Sequence, residues 1–568
     1  MKTTPAPVDR LAYPPRGNGR GADRAPTRIG WWRADRTPPA ADADSLRTAI
    51  EDFRRSVLLV LTTAGLAVGV GGTCTLEPTA NGEEGFPIAA VLPPLCIAAL
   101  GDPRFCADHG LRYPYVAGAM ANGIGSVEIV EALSRAGMLG FYGAAGQPLA
   151  VVDAAIERIT ASLGSGPFGF NLIHSPNEPA HEAAVADLYL KRGIRLVEAS
   201  AFLDLTPAVV RYRLHGIRQT LDGRIETPNR VVAKVSRVEV ATKFFSPAPD
   251  RIVRDLRDRG WLTEEQALLA QRVPVAQDVT VEADSGGHTD NRPAITLLPT
   301  ILALRDRLQQ RFGYPTPLRV GAGGGIATPA AVAAAFAMGA AYVLTGSVNQ
   351  ACVESGSSDV VREMLAQAEQ ADVAMAPAAD MFEMGVKVQV LKRGTMFPMR
   401  AAKLYELYRA YPGIDALPAA ERAQLEKNLF GAPLEAIWEQ TRAYFQQRDP
   451  GQIRRAETDA KHKMALVFRW YLGQSSRWAN AGEPSRKVDY QIWCGPAMGA
   501  FNEWARGSFL EQPRNRRVVT VALNLLYGAG LLWRQNQLRA QGVELPAAVL
   551  APGPRELLDL DERLKENG

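Results

Sequence analysis

Apolar and polar positions along this chain follow two periods, and their alternation is most regular from about residue 104 onward. Short apolar runs of strand length recur there, each followed by a longer stretch with apolar positions at helical spacing. The strand-like runs are 115–118, 138–142, 168–173, 195–199, 231–235, 279–283, 318–322 and 342–346. Helical stretches lie between them at 126–136, 151–163, 180–192, 207–216, 251–259, 294–311 and 329–338. Eight alternations over roughly 250–300 residues predict an α/β fold of the (β/α)8 TIM barrel kind, with a parallel sheet. A doubly wound open sheet is the alternative architecture. Beyond about 410 the strand signal gives way to charge-laced helical sequence at 419–429, 434–448, 453–470 and 518–541.

The flanks read differently. Residues 1–45 hold seven arginines among prolines and glycines, with no apolar core, which predicts a disordered leader and no secretory signal. Residues 46–103 predict a small ordered region ending in the apolar run 88–100, which Pro93 and Pro94 interrupt. Within it, 56–76 is uncharged. Its threonines and glycines leave apolar pieces shorter than the roughly 20 residues of a membrane span, so buried strands or a core helix are expected there and no membrane partner. The expected organisation is a leader (1–45), a small region (46–103), a barrel (104–410), a helical C-terminal domain (411–545) and a loose polar tail (546–568).

Composition narrows the class. Lys plus Arg is 64 against Asp plus Glu at 60, a formal charge of +4, with 22% charged and 47% hydrophobic residues in a chain of 568. That balance argues against a nucleic-acid binder. Cys74, Cys96, Cys106, Cys352 and Cys494 are scattered singly, which indicates neither a disulfide framework nor a zinc site, so no metal is expected and a reducing, cytoplasmic setting fits best.

In a barrel, chemistry gathers where strands end at the C-terminal face. The first strand runs into Gly118-Ala119-Met120, small or apolar residues against which a flat ligand can lie; a tight turn is the bland reading. Asn171 on the third strand and Lys234 on the fifth offer an amide and a positive charge to a central ligand. The sixth strand leads into Asp284-Ser285-Gly286-Gly287-His288. The glycines permit close backbone approach, and an imidazole titrates near neutrality, as a general acid or an oxyanion donor requires. A structural histidine is the alternative. The seventh and eighth strands end in Gly323-Gly324-Gly325 and Gly346-Ser347, where barrels commonly hold phosphate. The spacing is not that of a Rossmann fingerprint.

The strings FGFNLIHSPNEPA (168–180), AKVSRVEVA (233–241), VEADSGGHTDNRP (281–293), GAAYVLTGSVNQA (339–351) and APAADMFEMGVKVQVLKRGTMF (376–397) closely resemble the PfaD family. So do MALVFRWYLG (464–473) and DYQIWCGPAMGAFN (489–502). These are the trans-acting enoyl reductases of polyketide and polyunsaturated fatty acid synthases. The barrel part is more distantly similar to nitronate monooxygenases and to flavin-dependent enoyl reductases of bacterial fatty acid synthesis, which share an AGGH-like turn, here SGGH. The resemblance implies an FMN barrel that takes hydride from a nicotinamide nucleotide, NADPH by family habit with NADH left open, and reduces the 2,3 double bond of an enoyl thioester on an acyl carrier protein.

Carried over by position, Gly118, Ala119 and Met120 would lie along the isoalloxazine, with Asn171 and Lys234 at its polar edge. Asp284, Gly286 and Gly287 would shape the pocket; Gly323, Gly324, Gly325, Gly346 and Ser347 would hold the FMN phosphate; His288 would be catalytic. Asp284 stands where relatives often have Glu. An oxygenase of the nitronate type and a non-catalytic assembly partner are the rival readings. Oligomeric state, homo-oligomer included, stays open. The aromatic cluster Phe468, Trp470, Tyr471, Trp478, Tyr490, Trp493 and Trp504 reads as helix packing, and Cys494 as structural. Lys387, Lys392, Arg393 and Arg400 read equally as a solvated basic face or a guide for an acidic carrier.

Overall fold

Each of the eight apolar runs forms a strand in the computed structural model, which describes residues 29–76, 85–546, 549 and 553–564. They are Tyr115–Ala117, Leu139–Tyr142, Gly169–Ile173, Leu196–Ser200, Arg230–Val235, Asp278–Glu282, Arg319–Gly323 and Val343–Thr345. Neighbours pair in parallel in chain order, and the eighth closes on the first with Val343 opposite Tyr115. The expected TIM barrel is therefore the fold, and the open sheet is excluded. Strands covered on both faces read as predominantly apolar runs, which is why these were visible. The described residues fall into two compact units: Gly101–Thr328 with Ala335–Val521, and the described parts of Met1–Leu100, Pro329–Ala334 and Ala522–Gly568.

At the N-terminal end of the barrel, charge is buried where the sixth and seventh strands begin. Arg319 Nε donates to Asp278 Oδ1 at 2.6 Å, His109 Nε2 lies 2.9 Å from Asp278 Oδ2, and Arg319 Nη1 reaches Asp108 Oδ2 at 2.6 Å. Burial alone would raise the Asp278 carboxyl, but Arg319 and His109 outweigh it and hold it well below the usual range. Arg319→Met should cost about 3–5 kcal/mol in chemical denaturation at neutral pH, because it strands a buried carboxylate. A depressed carboxyl contributes stability above its unfolded pKa and loses it as pH falls through the folded one. In the variant the unpaired charge is relieved by protonation, so its gap to the parent should narrow on acidification. A gap independent of pH would refute this account of the cluster.

Beyond the barrel, Val373–Pro377 and Lys387–Leu391 form an antiparallel pair, and Gly287–His288 adds to the second strand, Gly287 opposite Gln389. The helices Phe397–Ala410, Leu434–Arg448 and Ala460–Ala481 pack with this sheet through one apolar cluster containing Phe382, Val390, Leu404, Ile437 and Phe468. The predicted helix 453–470 is two, Pro450–Thr458 and Ala460–Ala481, because Asp459 breaks it and caps the second by accepting from the His462 N–H at 2.9 Å. Arg393 is met by Asp372 at 2.9 Å and Arg400 by Asp489, so half of the expected basic face is locally neutralised.

In the smaller unit, the uncharged stretch becomes Val57–Thr62 and Gly65–Gly69, a hairpin in a five-stranded sheet with Phe86–Leu92, Gly30–Arg33 and Thr73–Thr75. No helix among the described residues is long and apolar enough to cross a membrane. Two expectations are corrected here. The leader is ordered from residue 29: Gly30–Arg33 is a strand and Trp32 is fully buried, with its indole N–H on the Gly71 carbonyl at 2.7 Å. Residues 1–28, the rest of that leader, lie outside the described residues. The tail is not loose throughout, because Leu557–Leu564 is a helix and both Arg555 and Arg563 bind the Glu51 carboxylate; residues 547–548, 550–552 and 565–568 lie outside the description. Residues from Ala522 onward also cluster with the N-terminal segment rather than with the preceding helices.

Candidate active site

A cavity of about 500 Å³ opens at the C-terminal ends of the barrel strands. Gly118, Ala119, Met120, Asn171, Lys234, Gly286, Gly287, His288, Gly323, Gly324, Gly325, Gly346 and Ser347 all line it. Asp284 does not: its Oδ1 accepts from Asn291 Nδ2 and Gln389 Nε2, both at 2.8 Å, so it braces the turn from behind.

Glycine is required at particular points of this lining. Gly324 has φ +79°, and an added Cβ would fall 2.6 Å from the Ala283 carbonyl. A Cβ on Gly118 would strike Leu344 at 2.6 Å. At Gly325 and Gly346 an added Cβ would meet nothing within 4 Å, so the backbone there faces open cavity. Ser347 Oγ accepts from the Gly495 N–H at 3.1 Å.

Lys234 lies between two carboxylates, 3.3 Å from Glu282 Oε1 and 3.8 Å from Glu198 Oε2. Burial would lower its pKa, but the two acids outweigh it and hold the ammonium above the usual lysine range. Glu198 is fully buried, and burial pushes its carboxyl up to about 7 against the pull of Lys234. Its Oε2 accepts from the Ala119 N–H at 2.9 Å, while its Oε1 has no partner among the described residues. Asn171 donates from Nδ2 to the Glu198 carbonyl at 3.2 Å and to Ser200 Oγ at 3.0 Å.

The Ser285–His288 turn is held by the 387–391 strand. Gln389 donates to the Ser285 carbonyl at 2.8 Å, and Gly286 packs against the Cys494 backbone too closely for any side chain. His288 Nε2 lies 3.2 Å from Asp380 Oδ1. Burial would lower the imidazole pKa, but Asp380 outweighs it and the net shift is upward. The Asp380 carboxyl is lowered in turn: burial opposes this, and the His288 charge overrides it.

Helices 434–448 and 460–481 complete the cavity wall with Tyr444, Arg448, Trp470 and Arg477, and Trp493 also lines it. Phe468, Tyr471 and Tyr490 are fully buried packing, as expected of the cluster, but Trp470 and Trp493 face the cavity. Sequence reasoning assigned no role to Glu198, Glu282, Asp380 or Gln389. A charged residue inside the apolar run 195–199 was a usable signal for Glu198, since a buried acid demands a partner.

Two family models match the chain: nitronate monooxygenase over residues 104–411, and the inserted helical domain of [acyl-carrier-protein] S-malonyltransferase over 411–490. The crystal structure of the enoyl reductase domain of MlnA, from the macrolactin biosynthesis cluster of Bacillus amyloliquefaciens, superposes with a TM-score of 0.74 at 39% identity. It covers 78% of this chain and 100% of that one. The chain belongs to the PfaD-like enoyl reductase family. This is an oxidoreductase family, whose barrel part falls under the nitronate monooxygenase model. Among PfaD-like relatives, a component of the polyunsaturated fatty acid synthase of Thraustochytrium sp. is 49% identical over 458 residues, 79% of this chain and 31% of that protein. The polyketide biosynthesis protein PksE of Bacillus subtilis is 47% identical over 439 residues, 77% of this chain and 57% of that protein. The chain thus spans about a third of the first and just over half of the second.

Proposed function

We propose that this chain is an FMN-dependent enoyl reductase that uses NADPH to reduce the 2,3 double bond of an enoyl thioester carried by the acyl carrier protein of a polyketide or polyunsaturated fatty acid synthase. The observation that carries the reading is one cavity in which two open glycine loops, the Lys234–Glu282–Glu198 group and the His288–Asp380 pair converge. The donor set suits FMN. Bare backbone at Gly325 and Gly346 is a cradle that a Cβ would fill, and with Gly323, Gly324 and Ser347 it suits a phosphate. Gly118, Ala119 and Met120 present a flat, small-residue wall, and Asn171 and Lys234 a polar edge.

Held by these residues, FMN would supply the hydride-transfer chemistry between NADPH and the β-carbon of the substrate. The residues of this chain do the rest. Lys234 keeps a fixed positive charge in the cavity, because the two acids hold its proton. Gly287, where an added Cβ would meet nothing within 4 Å, lets the substrate approach the backbone, while Gly286 lets the turn pack on the Cys494 backbone. As negative charge develops on the thioester oxygen, His288 holds a proton at the ring nitrogen not engaged by Asp380, placed to neutralise that charge or to protonate the α-carbon. Asp284 and Gln389 act through the turn they brace.

The test is the absorbance spectrum of the purified protein with chromatographic identification of heat-released flavin, followed by anaerobic NADPH oxidation with a crotonyl thioester. Flavin bands, released FMN and thioester-dependent oxidation are expected. A colourless protein that takes up no added FMN would overturn the cofactor assignment. The nitronate monooxygenase match favours a second reading: reduced flavin reoxidised faster by oxygen than by the thioester would replace the reductase with an oxygenase.

A further inference from the structure

The cavity carries five arginine, lysine or imidazolium groups whose charges can be balanced against their neighbours: Lys234, His288, Arg448, Arg469 and Arg477. Four have a carboxylate at hand. Lys234 has Glu282 at 3.3 Å, His288 has Asp380 at 3.2 Å, Arg448 clasps Glu178 at 2.8 and 3.0 Å, and Arg469 has Glu383 at 3.3 Å. His181, also in the lining, is held towards its neutral form by burial and by Arg448. Arg477 alone has no carboxylate partner among the described residues. Its guanidinium lies 5.8 Å from the centroid of the Tyr444 ring, and the Arg448 guanidinium lies 5.7 Å from the same centroid.

The surroundings of Arg477 suit an anion. Gln440, Tyr444 and Arg448 fall at i, i+4 and i+8 of helix 434–448, on one face, and all line the cavity. From helix 460–481, Gln474 and Arg477 are one turn apart and line it too. The position is anchored: the residue before Arg477, Ser476, accepts from Asn122 Nδ2 at 2.9 Å, which ties this helix to the loop after the first barrel strand. Arg477 is exposed at the cavity rim beside the Tyr444 ring, and a guanidinium with no carboxylate on it keeps its N–H edge available, the edge that recognises phosphate oxygens.

We propose that Arg477, beside Tyr444, is the anchor of a second anion subsite, carried by the C-terminal helices rather than by the barrel loops, which binds a phosphate group of a reactant entering the cavity. Choosing the reactants rests on the proposed function; the subsite itself rests on the charge balance. Two reactants bring a phosphate: the phosphopantetheine arm of the acyl thioester and the 2′-phosphate of NADPH.

Calorimetric titration of the full, flavin-loaded chain separates them. The probes are 4′-phosphopantetheine against pantetheine, and adenosine 2′,5′-bisphosphate against adenosine 5′-monophosphate. The expected result is that one phosphorylated probe binds at least tenfold tighter than its counterpart, and that Arg477→Gln abolishes the preference while flavin content is unchanged. Loss of the phosphopantetheine preference assigns the subsite to the acyl arm; loss of the bisphosphate preference assigns it to the hydride donor. A preference that survives Arg477→Gln, or no preference for either phosphate in the parent chain, overturns the proposal. Because no turnover is measured, a chain that fails to reduce an enoyl thioester yet shows the Arg477-dependent preference would refute the proposed function and leave the subsite standing.

Discussion

Replacing His288 with alanine should lower turnover of an enoyl thioester by about 100-fold or more while flavin content stays at the parent level, the loss expected when a general acid is removed. The pH dependence should identify the working form. Asp380 overcomes the effect of burial and raises the imidazole pKa, so the protonated ring persists above the ordinary histidine range. Activity that needs this proton is full below the raised pKa and falls as pH climbs through it. Asp380→Asn removes the opposing charge and leaves burial to lower the pKa, so the alkaline limb of kcat should move to lower pH. An unmoved limb in Asp380→Asn, or full turnover in His288→Ala, would remove this pair from the proton-handling role.

Lys234→Met should destabilise the protein by about 3 kcal/mol, because it removes the charge between two carboxylates, one of them fully buried. The effect has a pH signature. Burial already holds the Glu198 carboxyl up at about 7, and losing Lys234 raises it further. An acid whose folded pKa lies above its unfolded value opposes folding once the unfolded form ionises, and the cost grows with pH until the folded pKa is passed. Urea denaturation at about pH 8 should therefore show a larger loss than at about pH 5, and Glu198→Gln in the Lys234→Met background should recover part of it. A loss equal at both pH values, untouched by Glu198→Gln, would mean that Lys234 contributes through its alkyl packing rather than its charge.

How much of this was legible beforehand follows from what each feature depends on. The eight strands were readable because a parallel strand buried on both faces is a short, mostly apolar run, and that requirement is written locally; its polar interruptions, among them Asn171, Glu198 and Lys234, are residues of the site. Once the barrel was in view, its strand ends pointed to Gly118, Asn171, Lys234, His288 and both glycine loops without further information, and all line the cavity. Asp284 stood in the same string and faces away from it, because a turn of a few residues does not declare which side chains point inward. Within the expected leader, arginine and proline set the average of the segment, while the strand Gly30–Arg33 and its buried Trp32 are features of a few residues that the average does not register.

The chain's order of apolar and polar residues thus determined the eight β/α alternations and the set of loops from which a site is built, whereas closure into a barrel was decided by the pairing of the eighth strand with the first. Only the tertiary structure decided the pairings that make those residues chemical. Asp380 stands 92 positions from His288 and is brought to it by a strand pair that joins 287–288 to 387–391. Glu198 and Glu282 meet Lys234 across adjacent strands. Arg448 and Arg469 are each met by a carboxylate, whereas Arg477 has none among the described residues. Periodicity is a local property carried by consecutive residues, whereas a pKa or an unbalanced charge depends on what lies within a few ångströms in space, and that is set by the fold alone.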